Sequence, residues 1–253
     1  MINLKTTNWE IKDIDTVLFD KDGTFVDLHF FWGKITELRV EEVIKYYNLD
    51  NSFFEKLCLY LGYDNNSKTM LANGITALYS RSKIIEIFNE NLNNLGINSN
   101  EDEIIKIFDK VSDNFNKAIK DYIKLIPEAI GFIKKIKKCG LKTGIITSDS
   151  IISTNLTLEL FGLNKYFDMV VARETTKFTK ESGEPTKFAL NYLNSKPETT
   201  LMIGDAPTDY ISAQNAGVKN VILVATGQEK LDELYKYNKF VLNSLNEVEI
   251  ITN

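Results

Sequence analysis

Short apolar runs alternate with helical repeats along the second half of the chain. The runs are rich in β-branched residues and end at polar or small residues, whereas the segments between them carry apolar residues at three- and four-residue spacing. The pattern predicts strands over 141–147, 167–172, 200–205 and 220–226, and helices over 127–140, 151–161, 186–193 and 210–216. Alternation of this kind indicates a parallel, doubly wound sheet with helices on its faces.

One more strand, predicted over 14–20, precedes a long stretch whose apolar residues recur only at helical spacing. The economical interpretation is an α/β, Rossmann-like core built from two chain segments, residues 1–24 and 125–253. An all-helical cap domain, residues 25–124, is then inserted after the first strand.

Composition narrows the function classes. The chain has 253 residues, 43% hydrophobic and 26% charged, with a formal net charge of −5, so a general basic surface for nucleic acid is not expected. No apolar run reaches the length that a membrane span needs. With only Cys58 and Cys139, a disulfide framework is not expected either. These features favour a cytoplasmic protein with no nucleic-acid or membrane partner, and leave the oligomeric state open.

Carboxylates and hydroxyls follow three of the predicted strands. Ligands bind outside the carboxyl ends of strands in open parallel sheets, and the residues at those ends are Asp20 and Asp22, then Thr147, Ser148 and Asp149, then Asp205 and Asp209. Such a cluster is strongly repulsive without a cation, and its oxygen ligands suit Mg²⁺ better than Ca²⁺. If the extended geometry of the first strand continued, Asp20 and Asp22 would also share one side of the chain.

These stretches carry a family resemblance. "DKDGT" (20–24) resembles the first motif of the haloacid dehalogenase superfamily, "GIITSD" (144–149) resembles its second, and "IGDAPTDY" (203–210) resembles its fourth. Their order and spacing fit nearly all of the predicted sheet domain. The helical insertion is similar in architecture to the cap of the phosphoglycolate-phosphatase-like branch.

The resemblance implies a mechanism. Asp20 would attack phosphorus and form an aspartyl-phosphate, and Asp22 would protonate the leaving group and then activate water. The magnesium ion would be held by Asp20, the backbone carbonyl of Asp22, and Asp205, with Asp209 orienting this set or ligating directly. Because the dehalogenase branch lacks the second aspartate, dehalogenation is disfavoured.

The same resemblance implies three phosphate contacts. Thr147 would hydrogen-bond the phosphoryl group, the Ser148 N–H would add a donor near the start of the next helix, and Gly23 would let the backbone approach the phosphate.

One motif departs from the family pattern. The family's third motif is a lysine, commonly within "GKPxP", but the similar stretch here is "SGEPT" (182–186), with Glu184 at the lysine position. Lys180, 25 residues before Asp205, is the preferred replacement, and Lys187 is its rival. If neither reaches the site, full activity is in doubt.

Substrate recognition would fall to the cap, where the candidates are His29, Arg81 and Lys83. The expected function is a Mg²⁺-dependent phosphatase acting on a small phosphorylated metabolite such as phosphoglycolate or a sugar phosphate. A phosphomutase of the same superfamily and a catalytically idle binding protein on the same fold are the alternatives.

Overall fold

A parallel sheet organises the larger part of the protein. The computed structural model describes residues 1–252, which divide into two compact units: Met1–Asp27 together with the chain from Leu125 onward, and Leu28–Lys124. Within these residues, the first unit holds a six-stranded sheet in which every adjacent pair is parallel. This arrangement is the doubly wound α/β core that the alternating pattern predicts.

The strands of this sheet are β3 (Thr16–Phe19), β6 (Lys142–Ile146), β7 (Met169–Val171), β8 (Thr200–Gly204), β9 (Asn220–Val224) and β10 (Val241–Leu242). Their order across the sheet is β10-β9-β8-β3-β6-β7. The helices of the same unit are α6 (Pro127–Lys138), α7 (Ile151–Leu160), α8 (Glu184–Tyr192), α9 (Pro207–Asn215) and α10 (Leu231–Leu234).

Register aligns the ends of the central strands. β3 lies between β6 and β8, with Phe19 opposite Ile145 on one side and Ile203 on the other. The three strands are almost wholly buried, as expected for a sheet covered on both faces. The residues that follow them therefore emerge at one edge of the sheet.

A second, antiparallel sheet was not predicted from the sequence. It joins β1 (Ile2–Lys5), β2 (Glu10–Ile14) and β11 (Glu249–Thr252) in the order β11-β1-β2. The run predicted as one strand over 14–20 is divided between the end of β2 and the whole of β3.

The second unit is helical apart from one short ribbon. Its helices are α1 (Leu28–Tyr46), α2 (Phe54–Tyr60), α3 (Ile75–Leu78), α4 (Arg81–Asn94) and α5 (Glu101–Lys117). Between α2 and α3, β4 (Tyr63–Asp64) pairs antiparallel with β5 (Thr69–Met70), a ribbon that the helical pattern did not indicate. Phe88 and Phe108 lie fully buried in the unit's own apolar core, which is distinct from the core under the parallel sheet.

None of the helices within residues 1–252 combines the length and apolar character that spanning a bilayer requires.

Candidate active site

Three carboxylates converge at the carboxyl edge of the sheet. Asp20 follows β3, Asp205 follows β8, and Asp209 lies in the first turn of α9. Each of the three offers an oxygen within 4.8 Å of the others', and all three residues are buried. The backbone N–H of Asp20 donates to the carbonyl of Ile203 at 2.8 Å, which fixes the first strand end against the second.

Lys180 is the cation of this cluster. It begins a short 3₁₀ turn, Lys180–Ser182, and its buried ammonium forms ion pairs with Asp20 and, at 2.5 Å, with Oδ1 of Asp209. Burial works to lower the pKa of Lys180, but the charges of Asp20 and Asp209 outweigh it and raise the pKa above its ordinary value. The ammonium is therefore charged throughout the neutral range.

Lys187 occupies a different environment. Its side chain is 46% exposed and forms an ion pair with Glu184, three residues earlier in the chain, at 2.8 Å. Between the two lysines Gly183 turns the chain with φ of 79°. The structure thus places Lys180 beside Asp20 and leaves Lys187 on the surface of α8.

The electrostatics of the cluster favour a further cation. Burial, followed by the charge of Asp209 and that of Asp22, raises the pKa of Asp20 to about 7 against the opposing charge of Lys180. Burial and the charges of Asp20 and Asp209 raise the pKa of Asp205 well above its usual range. When all three carboxylates are ionised, the one ammonium leaves two negative charges, and oxygen ligands of this kind suit a hard divalent ion.

Asp209 is held by the protein through both of its oxygens. Oδ2 accepts from the backbone N–H groups of Asp205 at 3.1 Å and Ala206 at 3.0 Å, while Oδ1 meets Lys180. These contacts favour an orienting role for Asp209 over direct metal ligation.

Glycine at position 23 is required by the Asp205 carboxyl group. Gly23 has φ of 84°, and a Cβ atom built on it would overlap that carboxyl group. A side chain at position 227 would meet the same group, and the Thr226 hydroxyl donates to the Gly23 carbonyl at 2.5 Å. The loop after β9 therefore borders the cluster, a neighbour that sequence reasoning missed because Thr226 and Gly227 carry no charge.

The Asp22 carboxylate has a different ion-pair partner from that of Asp20. β3 ends at Phe19, and the chain bends at Lys21 before Asp22 forms an isolated bridge to Val26. The expectation that the two aspartates share one side of the chain depended on continued extended geometry, and that condition is not met because β3 stops before them. The Asp22 carboxylate instead accepts from Lys21 Nζ at 2.6 Å, and Lys21 also meets Asp149 at 3.0 Å.

The loop after β6 holds the predicted phosphate contacts. Thr147 is buried, and its Oγ1 accepts the backbone N–H of Asp149 at 3.1 Å, so the hydroxyl hydrogen is still available to donate. Ser148 is exposed and lies two residues before Ser150, whose side chain caps α7 by accepting the Ser153 N–H.

The three predicted substrate readers each have a contact within the second unit. His29 Nδ1 accepts the backbone N–H of Met70 at 3.0 Å. Arg81 pairs with Asp109 at 2.6 Å, and Lys83 pairs with Glu86 at 2.5 Å. The last two are exposed ion pairs, which are typical of a solvated helix surface.

Comparison with known proteins identifies the family of the chain. The model of the haloacid dehalogenase-like hydrolases matches residues 65–223. The pyrophosphatase PpaX of Bacillus mycoides is 28% identical, over 93% of this chain and 95% of its own.

Solved structures support the fold. A predicted phosphoglycolate phosphatase from Haemophilus somnus superposes with a TM-score of 0.71 at 15% identity, over 93% of this chain and 96% of its own. A predicted phosphatase from Clostridium acetobutylicum gives a TM-score of 0.64 at 24% identity, with the same two coverages.

The raised pKa of Asp205 predicts an unusual effect of Asp205→Asn. A group whose pKa is raised on folding destabilises the fold above its unfolded pKa, because it must ionise against burial and like charges. At pH 8 and without divalent ions, the variant should therefore have a higher melting temperature than the parent protein. The increase should be about 2–4 °C for each kcal/mol of unfavourable free energy that the substitution removes. Mg²⁺ should raise the melting temperature of the parent and have little effect on the variant, as measured by calorimetry.

Asp168→Asn is the matched control. Burial alone would raise the pKa of Asp168, but hydrogen bonds from Lys137 and from the Thr143 N–H lower it, so its charge stabilises the fold at pH 8. This variant should have a lower melting temperature than the parent. Mg²⁺ should raise its melting temperature by as much as it raises that of the parent. A Mg²⁺ response retained by Asp205→Asn would contradict the metal assignment.

Proposed function

The chain is an enzyme of the haloacid dehalogenase-like hydrolase family, and from that membership we propose that it hydrolyses small phosphorylated compounds with Mg²⁺ through an aspartyl-phosphate on Asp20. The observation that carries the proposal is the buried contact of Asp20 with Lys180, beside Asp205 and Asp209. On this proposal, one edge of the sheet carries a nucleophilic carboxylate, a fixed cation and a set of metal ligands.

Each step is assigned to a side chain. The Asp20 carboxylate attacks phosphorus, the bond from phosphorus to the leaving oxygen breaks, and Asp22 gives that oxygen its proton. Asp22 then takes a proton from water, whose oxygen attacks phosphorus and releases phosphate from Asp20. Lys180 holds the Asp20 carboxylate and Thr147 donates to the phosphoryl oxygens.

Magnesium fits the residues that would hold it, namely Asp20, Asp205 and the backbone carbonyl of Asp22. When bound, it supplies positive charge between the nucleophilic carboxylate and the anionic phosphate. Asp209 keeps the Asp205 backbone in place through its hydrogen bond.

Two substrate classes follow from different observations. The full-length relative from Bacillus mycoides is named a pyrophosphatase, which favours inorganic pyrophosphate. The motifs and the helical unit resemble those of phosphoglycolate phosphatases, which favours phosphate esters of small metabolites. We assign the enzyme to the cytoplasm because both of its cysteines, Cys58 and Cys139, are free thiols.

The intact protein with Mg²⁺ should release phosphate from pyrophosphate or from a small phosphate ester, and p-nitrophenyl phosphate should serve as a generic ester. Asp20→Asn should remove this activity, by roughly 10⁴-fold or more, because the amide that replaces the carboxylate is a very poor nucleophile toward phosphorus. A colorimetric phosphate assay over pyrophosphate, phosphoglycolate and several sugar phosphates measures both results.

Two outcomes would contradict the proposal. Phosphate release by Asp20→Asn at the parent rate would exclude the assigned nucleophile. Isomerised sugar phosphate with little free phosphate would identify a phosphomutase instead.

The two lysines provide a paired test. Lys180→Ala should lower kcat by roughly 10²–10³-fold, because it removes a fixed cation from the nucleophile. The kcat of Lys187→Ala should stay within about twofold of the parent value, since the substitution breaks only an exposed ion pair. Steady-state kinetics with melting temperatures checks both variants, and a larger loss in Lys187→Ala would reverse the assignment.

A further inference from the structure

A second buried lysine lies beside the proposed proton carrier. Lys21 has 0% of its surface exposed, and its ammonium contacts Oδ1 of Asp22 at 2.6 Å and Oδ2 of Asp149 at 3.0 Å. Lysine is almost never fully buried unless it is paired, and an ammonium withdrawn from water is costly without close counter-charges. The two carboxylates meet that requirement.

Lys21 is held at both ends. Its backbone carbonyl accepts the N–H groups of Phe25 and Val26 at 3.0 Å, so the residue is the centre of the turn that follows β3. Burial works to lower the pKa of its ammonium, but Asp149 and Asp22 raise the pKa above its ordinary value. The group is therefore a fixed positive charge.

Asp149 is equally constrained. Its N–H donates to Thr147, its Oδ1 accepts the Ser150 N–H at 2.7 Å, and its carbonyl accepts the Arg173 N–H at 3.0 Å. The contact between Lys21 and Asp149 thus joins the turn after β3 to the loop after β6, the loop that also carries Thr147.

We propose that Lys21 and Asp149 are positioning residues that hold the Asp22 carboxyl group where it can protonate the leaving oxygen. The inference rests on the proposed function, in which Asp22 carries that proton. Lys21 fixes the Asp22 side chain through Oδ1, and Asp149 fixes the Lys21 ammonium through Oδ2. Neither residue touches the substrate.

Leaving-group dependence tests the role. A phenolate leaving group needs a proton far more than p-nitrophenolate does, and kcat/KM reports the steps up to departure of the leaving group. Lys21→Met, similar in length and uncharged, should lower kcat/KM for phenyl phosphate by about 10- to 100-fold, part of what general acid catalysis supplies. The loss for p-nitrophenyl phosphate should be within about threefold.

Asp22→Asn is the benchmark and should show the same selectivity with a larger loss. In the Asp22→Asn background, adding Lys21→Met should change kcat/KM for phenyl phosphate by less than about twofold, because the lysine acts through the missing carboxyl group. Lys21→Arg, which keeps the positive charge, should have a higher kcat/KM for phenyl phosphate than Lys21→Met. If Lys21→Met does not fold, Asp149→Asn provides a second test, because asparagine keeps the shape of the side chain. It should also lower kcat/KM more for phenyl phosphate than for p-nitrophenyl phosphate, but by a smaller factor than Lys21→Met.

Three results would overturn the inference while leaving the proposed function intact: parent-like kinetics in the folded Lys21 or Asp149 variant, equal losses on both substrates, or full additivity with Asp22→Asn. A different pair of results would contradict the proposed function itself, and the inference with it. These are no selectivity in Asp22→Asn, and no release of phosphate by the parent protein with Mg²⁺ from either aryl phosphate, pyrophosphate, phosphoglycolate or the sugar phosphates.

Discussion

Like charges held together away from water are the constraint on which the rest of this structure depends. Three buried carboxylates with oxygens within 4.8 Å of one another repel strongly in a medium less polar than water. The fold opposes that repulsion with Lys180, delivered from a short turn far from β3 in the sequence. The sheet order matters for the same reason, because β8 lies directly beside β3 and brings Asp205 to Asp20.

The central sheet could be predicted because its signals are local. Each of β3, β6 and β8 is a short apolar run that ends at polar residues, and the carboxyl ends of parallel strands share an edge. Sequence alone therefore indicated the residues that meet there. It could not decide between Lys180 and Lys187, because both lie within a few residues of one turn. What distinguishes Lys180 is its contact with Asp20 and Asp209 from distant parts of the chain, and that is a tertiary property.

Other features depend on contacts between distant parts of the chain. β1 and β2 are short, so the hydrophobic pattern within each is a weak signal. Their sheet is completed by β11, which lies at the other end of the sequence. Lys21 was missed for a related reason. A lysine at a strand end is usually solvated, and nothing within "DKDGT" shows that Asp149 lies opposite it. The available signal was its place between two aspartates, immediately after a fully buried strand.

The two ammonium groups explain how aspartates two residues apart can perform different chemistry. Asp20 meets Lys180 among further carboxylates, where burial and repulsion raise its pKa and favour a divalent cation. Asp22 lies beyond the bend at Lys21, whose ammonium contacts both Asp22 and Asp149. Pairs of titratable groups in separate electrostatic environments are how one site obtains distinct roles from the same side chain. The end of β3 at Phe19 matters for the proposed roles, because the two carboxylates beyond it contact different ammonium groups.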